Sequence, residues 1–276
     1  MNLRILGKVI KQFCFLFYLG FLAACQPGLD EKPQLIDSEP VMPQTIDGAE
    51  MVFVPAGEFT MGSDVLDEQP EHTIYLDAYW VDKYEVTNRL YRRCYDVKGC
   101  QAPLSIKANQ DSAYFENTAF DQYPVNHITW ELADQYCRWA GKRLPTEAEW
   151  EKAARGVDGR MFPWGNEWDP SRVNSLFNNL YATLPVGSFP DGASPYGAYE
   201  MAGNVWEWVA DWYAEDYYSS SSVENPTGPE SGKTRIVRGG GYGVYDAAMR
   251  TSIRRELLGI TEAKYIGFRC AVSAQP

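Results

Sequence analysis

Cys137-Arg-Trp-Ala-Gly-Lys-Arg-Leu-Pro-Thr-Glu-Ala-Glu-Trp-Glu151 holds the end of one helix and the beginning of the next. Upstream of it, Trp130 to Ala140 puts Ala133, Tyr136, Cys137 and Ala140 on one face. Thr129 stands where an N-cap belongs and Gly141 where the helix must stop. Downstream, Thr146 and Glu149 have the spacing of a capping box, in which the hydroxyl accepts the Glu149 N–H and the carboxylate reaches back. That helix closes at Gly156. Lys142 and Arg143, at a helix end, complement the helix dipole. Toward the N-terminus, Val86 to Tyr95 reads as a helix capped by Thr87, with Leu90, Tyr91 and Cys94 along one side. His72 to Trp80 alternates like a half-buried strand, and Met51 to Ser63 reads as two short strands around a turn at Pro55 to Gly57. From Phe162 onward the periodicity gives way to loops rich in Trp, Gly, Pro and Asn. Short strand-like runs remain at Ile236 to Arg238 and Ile266 to Cys270. With 23 Gly and 17 Pro, the pattern predicts one loop-rich domain after residue 50 rather than a helical bundle.

Composition bounds what such a domain does. The chain has 276 residues, 37 acidic against 25 basic, for a net charge of −12. A partner held through its phosphate backbone is excluded, because nucleic-acid binding rests on clustered positive charge. An apolar share of 45% with 14% aromatic residues is far above that of a disordered chain.

The first 24 residues carry Arg4, Lys8 and Lys11 and no acid, followed by an apolar run from Phe13 to Ala24. The run is shorter than the roughly 20 residues needed to cross a bilayer, so it reads as the core of a signal peptide. Leu22-Ala-Ala-Cys25 resembles a bacterial lipobox, which implies a lipoprotein lipidated on Cys25. Gln26 after the cysteine implies sorting to the outer membrane, on its periplasmic face or at the cell surface. Residues 25–50 hold Pro27, Pro33, Pro40 and Pro43, are strongly acidic and lack periodicity, which predicts a disordered tether.

With Cys14 lost and Cys25 lipidated, Cys94, Cys100, Cys137 and Cys270 remain, with three possible pairings in an oxidising compartment. Cys94 and Cys100 are close enough to staple a loop. Cys137–Cys270 would then tie an internal helix to the C-terminal strand. No C-x2-C pair accompanies the two histidines, so a zinc site is not indicated. His127, before a helix cap, is expected to make a structural hydrogen bond, and His72, at a strand start, to be solvated. Trp164, Trp168, Trp206, Trp208 and Trp212 are either core or the lining of a groove. Gly239 to Gly243 is expected to be a close-packed turn.

Several segments are specific in combination: Val54-Pro-Ala-Gly-Glu-Phe-Thr-Met-Gly62, Asp82-Lys-Tyr-Glu-Val-Thr-Asn88, Tyr123-Pro-Val-Asn-His-Ile-Thr-Trp130 and the Cys137–Glu151 stretch. They continue with Phe162-Pro-Trp-Gly-Asn166, Met201-Ala-Gly-Asn-Val-Trp-Glu-Trp208, Arg238-Gly-Gly-Gly241 and Gly267-Phe-Arg-Cys270. In this order they resemble the formylglycine-generating enzyme, or sulfatase-modifying factor, family. The resemblance implies an α+β fold, a single compact domain with sparse secondary structure over residues 51–276 that is C-type-lectin-like, and Cys137–Cys270 matches one disulfide of that family. It also implies a Ca2+ site from the Glu200 and Glu207 side chains with the Gly203 and Val205 carbonyls. Asn174, with the Ser175 carbonyl, matches part of a second. In the oxidases of the family two cysteines, five positions apart, hold Cu(I) as thiolates. Here those positions carry Val244 and Met249, so copper is not expected and no catalytic residue is carried over. The expectation is an envelope lipoprotein that binds a protein or peptide as an accessory or structural component. The alternatives are an enzyme of different oxidative chemistry on the same scaffold, with an open pocket near Tyr242, Tyr245, Arg250 and Trp206, or residual formylglycine generation.

Overall fold

The capping box forms as its spacing requires. Thr146 Oγ1 accepts the Glu149 N–H at 3.1 Å, and the Glu149 carboxylate accepts the Thr146 N–H at 2.8 Å. The computed structural model describes residues 41–107, 112–178 and 181–274. The leader 1–24, Cys25 and the tether as far as residue 40 lie outside them. In chain order the strands are β1 (Met51–Val54), β2 (Gly57–Met61), β3 (His72–Leu76), β4 (Tyr79–Asp82), β5 (Trp206–Trp212), β6 (Arg235–Arg238), β7 (Arg255–Leu257), β8 (Ile266–Phe268) and β9 (Ala271–Ser273). The helices are α1 (Asn88–Asp96), α2 (Leu104–Lys107), α3 (Ser112–Glu116), α4 (Trp130–Trp139) and α5 (Glu147–Arg155), all lying between β4 and β5. The expected caps Thr87, Thr129 and Thr146 each accept a first-turn N–H. Gly141 and Gly156 end α4 and α5 at φ values of 78° and 71°, which favour glycine.

The strands form three small sheets, in the orders β1-β4-β9, β2-β3 and β7-β6-β5-β8. All neighbours run antiparallel except β5 and β8, which are parallel. The single strand read across His72 to Trp80 is two, because the chain leaves the β2 hairpin at Asp77 and enters a different sheet. β3 keeps its alternation, with Ile74 and Leu76 inward, whereas all of β4 is buried between β1 and β9. Of the run Ile266 to Cys270 only Ile266–Phe268 is strand, β8 beside β5; β9 follows it at Ala271–Ser273 and joins β4. The longest of these strands, β5, falls in the stretch whose pattern reads as loops.

Two apolar clusters hold these pieces together. One packs Tyr91, Tyr136, Cys137, Trp208 and Phe268 between α1, α4 and the β5–β8 sheet. Tyr91 and Tyr136 stack at 5.4 Å, with the Phe268 edge against both rings. Burying a side chain such as Phe268 contributes about 1.5–3 kcal/mol. The second joins the β2–β3 hairpin to α5 and β5 through Phe59, Ile74, Trp150 and Val209. Disulfides join Cys94 to Cys100 and Cys137 to Cys270.

Charges also enter the interior. The Lys142 ammonium is not a helix-dipole complement at the surface; it is buried between Asp47 at 2.8 Å and Asp82 at 2.6 Å. Asp47 also accepts from the Tyr136 hydroxyl at 2.9 Å, and its carbonyl accepts from Arg93 at 2.7 Å. The tether expected to run free to Glu50 is therefore docked on the domain by Asp47. Helix α5 is buried on every side, its Glu147 and Glu151 held by Arg238 and Arg254.

Asp211 lies in this interior, accepting the Glu147 N–H at 2.8 Å. Burial, then repulsion from Glu147, pushes its carboxyl up to about 8 from 3.8. A carboxyl raised in the folded state adds stability that is full below its unfolded value and is lost as pH rises through the folded one. Asp211→Asn should therefore flatten the fall in stability between about pH 4 and 8. Urea unfolding at several pH values tests this, and a slope identical to wild type would contradict it.

Candidate functional site

Glu85, Glu200 and Glu207 reach one buried region from three segments. Glu85 follows β4, Glu200 precedes the Met201–Val205 turn, and Glu207 sits in β5 with no exposed surface. Arg269, in the Gly267-Phe-Arg-Cys270 motif, lies among them. Its Nε and Nη2 each donate to Glu207 at 2.7 Å, and Nη2 also donates to the Tyr199 carbonyl at 2.7 Å. Trp150 Nε1 donates to Glu207 Oε2 at 2.8 Å. Glu200 Oε1 accepts the Gly187 N–H at 2.9 Å, but its Oε2 is buried without a hydrogen-bond partner.

Like charges crowd here. Burial first, then Glu200 and Glu207, push the Glu85 carboxyl well above the usual range. Burial pushes Glu200 up to about 7, against the opposing pull of Arg269. The guanidinium of Arg269 is driven upward by Glu207, Glu85 and Glu200 against the cost of its own burial.

The turn between the carboxylates is fixed by its backbone. Gly203 has φ 79° and Asn204 φ 57°. A Cβ on Gly203 would lie 2.4 Å from the Asn174 carbonyl oxygen, so only glycine fits. Asn174 therefore packs against this turn. Its Nδ2 donates to Asn204 Oδ1 at 3.0 Å and to the Ala182 carbonyl at 2.9 Å, while its Oδ1 is buried without a partner. The Ser175 carbonyl accepts the Asn178 N–H at 3.1 Å, and Asn178 Oδ1 accepts the Ser175 N–H at 2.8 Å. Among the described residues no three acidic, histidine or cysteine side chains converge as a ready metal cage. A cation held here would take two carboxylates and backbone carbonyls. Motif reading found Glu200 and Glu207; it quoted Glu85 and Arg269 but gave them no role.

Val244 and Met249 fall in an apolar group beside the turn at Gly203. Met249 is fully buried with Val173 and Ala202, and Val244, Trp164 and Trp168 pack against that group. Gly240, at φ 76°, brings its backbone so close that a Cβ would sit 3.0 Å from Met249 Cγ and 2.7 Å from the Ala248 oxygen. The expected close-packed glycine turn is present. From this plug a row of aromatic rings runs outward from Trp164 through Trp168 and Phe177 to Tyr245, at spacings of 6.1, 5.7 and 5.7 Å.

The pocket expected near Tyr242, Tyr245, Arg250 and Trp206 does not assemble from those side chains. Tyr242 and Trp206 are buried, Arg250 is paired with Glu68, and Tyr245 is exposed. Trp206 and Trp208 are core, while Trp212 and Trp130 sandwich Arg235 at 3.4 and 3.6 Å. Of the five tryptophans only Trp164 and Trp168 belong to the surface row. His127 pairs with Glu262 at 2.5 Å, a structural contact as expected. His72 is not simply solvated; it packs on the Tyr218 ring at 5.0 Å and bonds the Pro70 carbonyl at 2.7 Å. On another face an open groove of about 770 Å³ is lined by Leu76, Leu144, Ala210 and Pro226, with Arg143 and Glu149.

Residues 37–274 match the sulfatase-modifying factor enzyme 1-like domain. A serine/threonine-protein kinase pkn1 of Chlamydia caviae is 38% identical over 259 residues, covering 85% of this chain but only 40% of that protein, so the chain spans about two fifths of this relative. The formylglycine-generating enzyme of Streptomyces coelicolor is 31% identical over 311 residues, covering 91% of this chain and 94% of the enzyme. PvdO from Pseudomonas aeruginosa superposes with a TM-score of 0.69 at 26% identity, covering 85% of this chain and 98% of PvdO. The mixed α+β domain with its small sheets is the C-type-lectin-like arrangement of these neighbours. From its motif order to its fold, the chain belongs to the sulfatase-modifying factor, or formylglycine-generating enzyme, family.

Proposed function

We propose that this protein is a non-copper member of the family, a binding component of a bacterial envelope held to the membrane by a lipid on Cys25. The observation that carries this reading is the packing at residues 244 and 249. The family resemblance puts the two Cu(I) thiolates at these positions. A valine cannot ligate, and a single thioether is a weak substitute for a thiolate pair. Met249 is fully buried in apolar contacts with Val173 and Ala202. Copper therefore does not fit this chain, and no oxidation step is derived through it.

A divalent cation does fit the carboxylate region. Three buried carboxylates, Glu85, Glu200 and Glu207, face one guanidinium, Arg269. Fully ionised, they leave a formal deficit of two charges, which one Ca2+ balances. Glu200 Oε2 has no protein partner, as a ligand oxygen would not. With Glu207 and the Gly203 and Val205 carbonyls it supplies the hard oxygens that Ca2+ prefers. In this reading the ion is structural and stiffens the 200–207 segment.

The domain is then a rigid surface offered to a protein or peptide of the envelope, with the 770 Å³ groove beside Arg143 available to receive it. The lipid at Cys25 and the outer-membrane location are part of the same proposal and rest on the leader sequence. The test incubates the full chain with a C-x-P-x-R peptide, Cu(I), Ca2+ and oxygen, beside an active formylglycine-generating enzyme. Mass spectrometry should find no aldehyde from this chain. Conversion to formylglycine would overturn the reading.

A further inference from the structure

We infer that Glu85 is the positioning residue of the cation site, pinning the peptide plane between its two ligand carbonyls; this rests on the reading that Glu200 and Glu207 hold a divalent ion. The peptide unit is planar and trans, so a hydrogen bond to one N–H also aims the carbonyl across the same plane, away from the acceptor. Three successive planes are fixed in this way. The Asn204 N–H donates to the Asn174 carbonyl at 3.1 Å, which turns the Gly203 carbonyl away from Asn174. The Trp206 N–H donates to the Tyr265 carbonyl at 2.8 Å, which turns the Val205 carbonyl away from Tyr265. Between them the Val205 N–H donates to Glu85 Oε1 at 3.1 Å, and the Asn204 carbonyl accepts the Tyr242 N–H at 3.0 Å.

Glu85 makes a second bond to the same turn, accepting from Asn204 Nδ2 at 2.6 Å. It thus adds a side-chain bond to Asn204 at φ 57°, in the left-handed region that asparagine tolerates better than most non-glycine residues. An amide acceptor would serve as a mere backbone clamp. A third buried carboxylate beside Glu200 and Glu207 instead adds repulsion, which has a use only when a cation offsets it. The buried, unpartnered Glu200 Oε2 in the same region is the independent sign of that cation.

Ca2+ titration by calorimetry, with thermal melts in Ca2+ and in EGTA, tests this on the full chain. Wild type should bind Ca2+ and melt higher with it. Glu85→Gln should melt in EGTA at or above the wild-type temperature, because the cost of ionising a carboxyl buried beside Glu200 and Glu207 is gone. Its Ca2+ affinity should fall about 10–100-fold, the usual effect of changing a residue that orients metal ligands. Glu85→Asp keeps the charge and shortens the reach, and should also weaken Ca2+ binding. Unchanged affinity in either variant overturns the role of Glu85 while leaving the cation site standing. A wild type that does not bind Ca2+ overturns both.

Discussion

Lys142→Met is expected to cost about 3–5 kcal/mol, because it leaves two buried carboxylates without their cation. Asp47 and Asp82 both direct oxygens at Lys142 Nζ, and none of the three side chains has meaningful exposure. Attraction to Lys142 holds Asp47 below the usual carboxylate range despite its burial. Asp82 is pushed up to about 6, chiefly by burial, with Asp47 adding repulsion. The domain should melt roughly 6–20 °C lower, at 2–4 °C per kcal/mol for a domain of this size. Adding Asp47→Asn and Asp82→Asn to the variant should recover much of the loss, since neutral amides need no counterion. A single variant melting within about 2 °C of wild type would show that the triad is not the latch described here.

The second large effect is expected on opening Cys137–Cys270. This bridge spans 133 positions and joins α4 to the segment between β8 and β9, whereas Cys94–Cys100 spans 6. In the chain-entropy model the long bridge contributes ~5 kcal/mol and the short one ~2 kcal/mol, with strain lowering both. Cys137→Ser with Cys270→Ser should therefore lower urea stability by about 2–5 kcal/mol. Cys94→Ser with Cys100→Ser should lower it by less. Equal losses in the two pairs would mean that the long crosslink contributes little beyond local packing.

How far the sequence was legible depends on where each element's instructions lie. Helices α1, α4 and α5 were readable because caps and stops are local: Thr87, Thr129, Thr146, Gly141 and Gly156 each act within one turn. Strand β5 was not: Trp206, Trp208, Ala210 and Trp212 do alternate with Glu207 and Asp211 as a strand should, but they stand in a stretch where Gly, Pro and Asn break the periodicity on both sides. Both acids are buried, Glu207 on Arg269 and Trp150, and Asp211 against the start of α5. Distance along the chain hid Lys142, Arg238 and Arg254, since a reading that sends charge outward cannot see partners 60 to 107 positions away. At the carboxylate region, Glu200 and Glu207 flank the Met201–Trp208 motif, and the family resemblance singles them out by position. Glu85 lies 120 positions before Val205 and becomes visible only when the fold brings it to the Val205 N–H.

In the proposed reading an apolar plug stands where the oxidases of the family hold copper. A Cu(I) titration of the full chain in competition with a chromophoric chelator tests it most directly, with Val244→Cys/Met249→Cys alongside. Wild type should leave the chelator's Cu(I) in place, and the double variant, with two thiolates restored five positions apart, should withdraw one equivalent. Withdrawal of one equivalent by the wild-type chain would contradict the account.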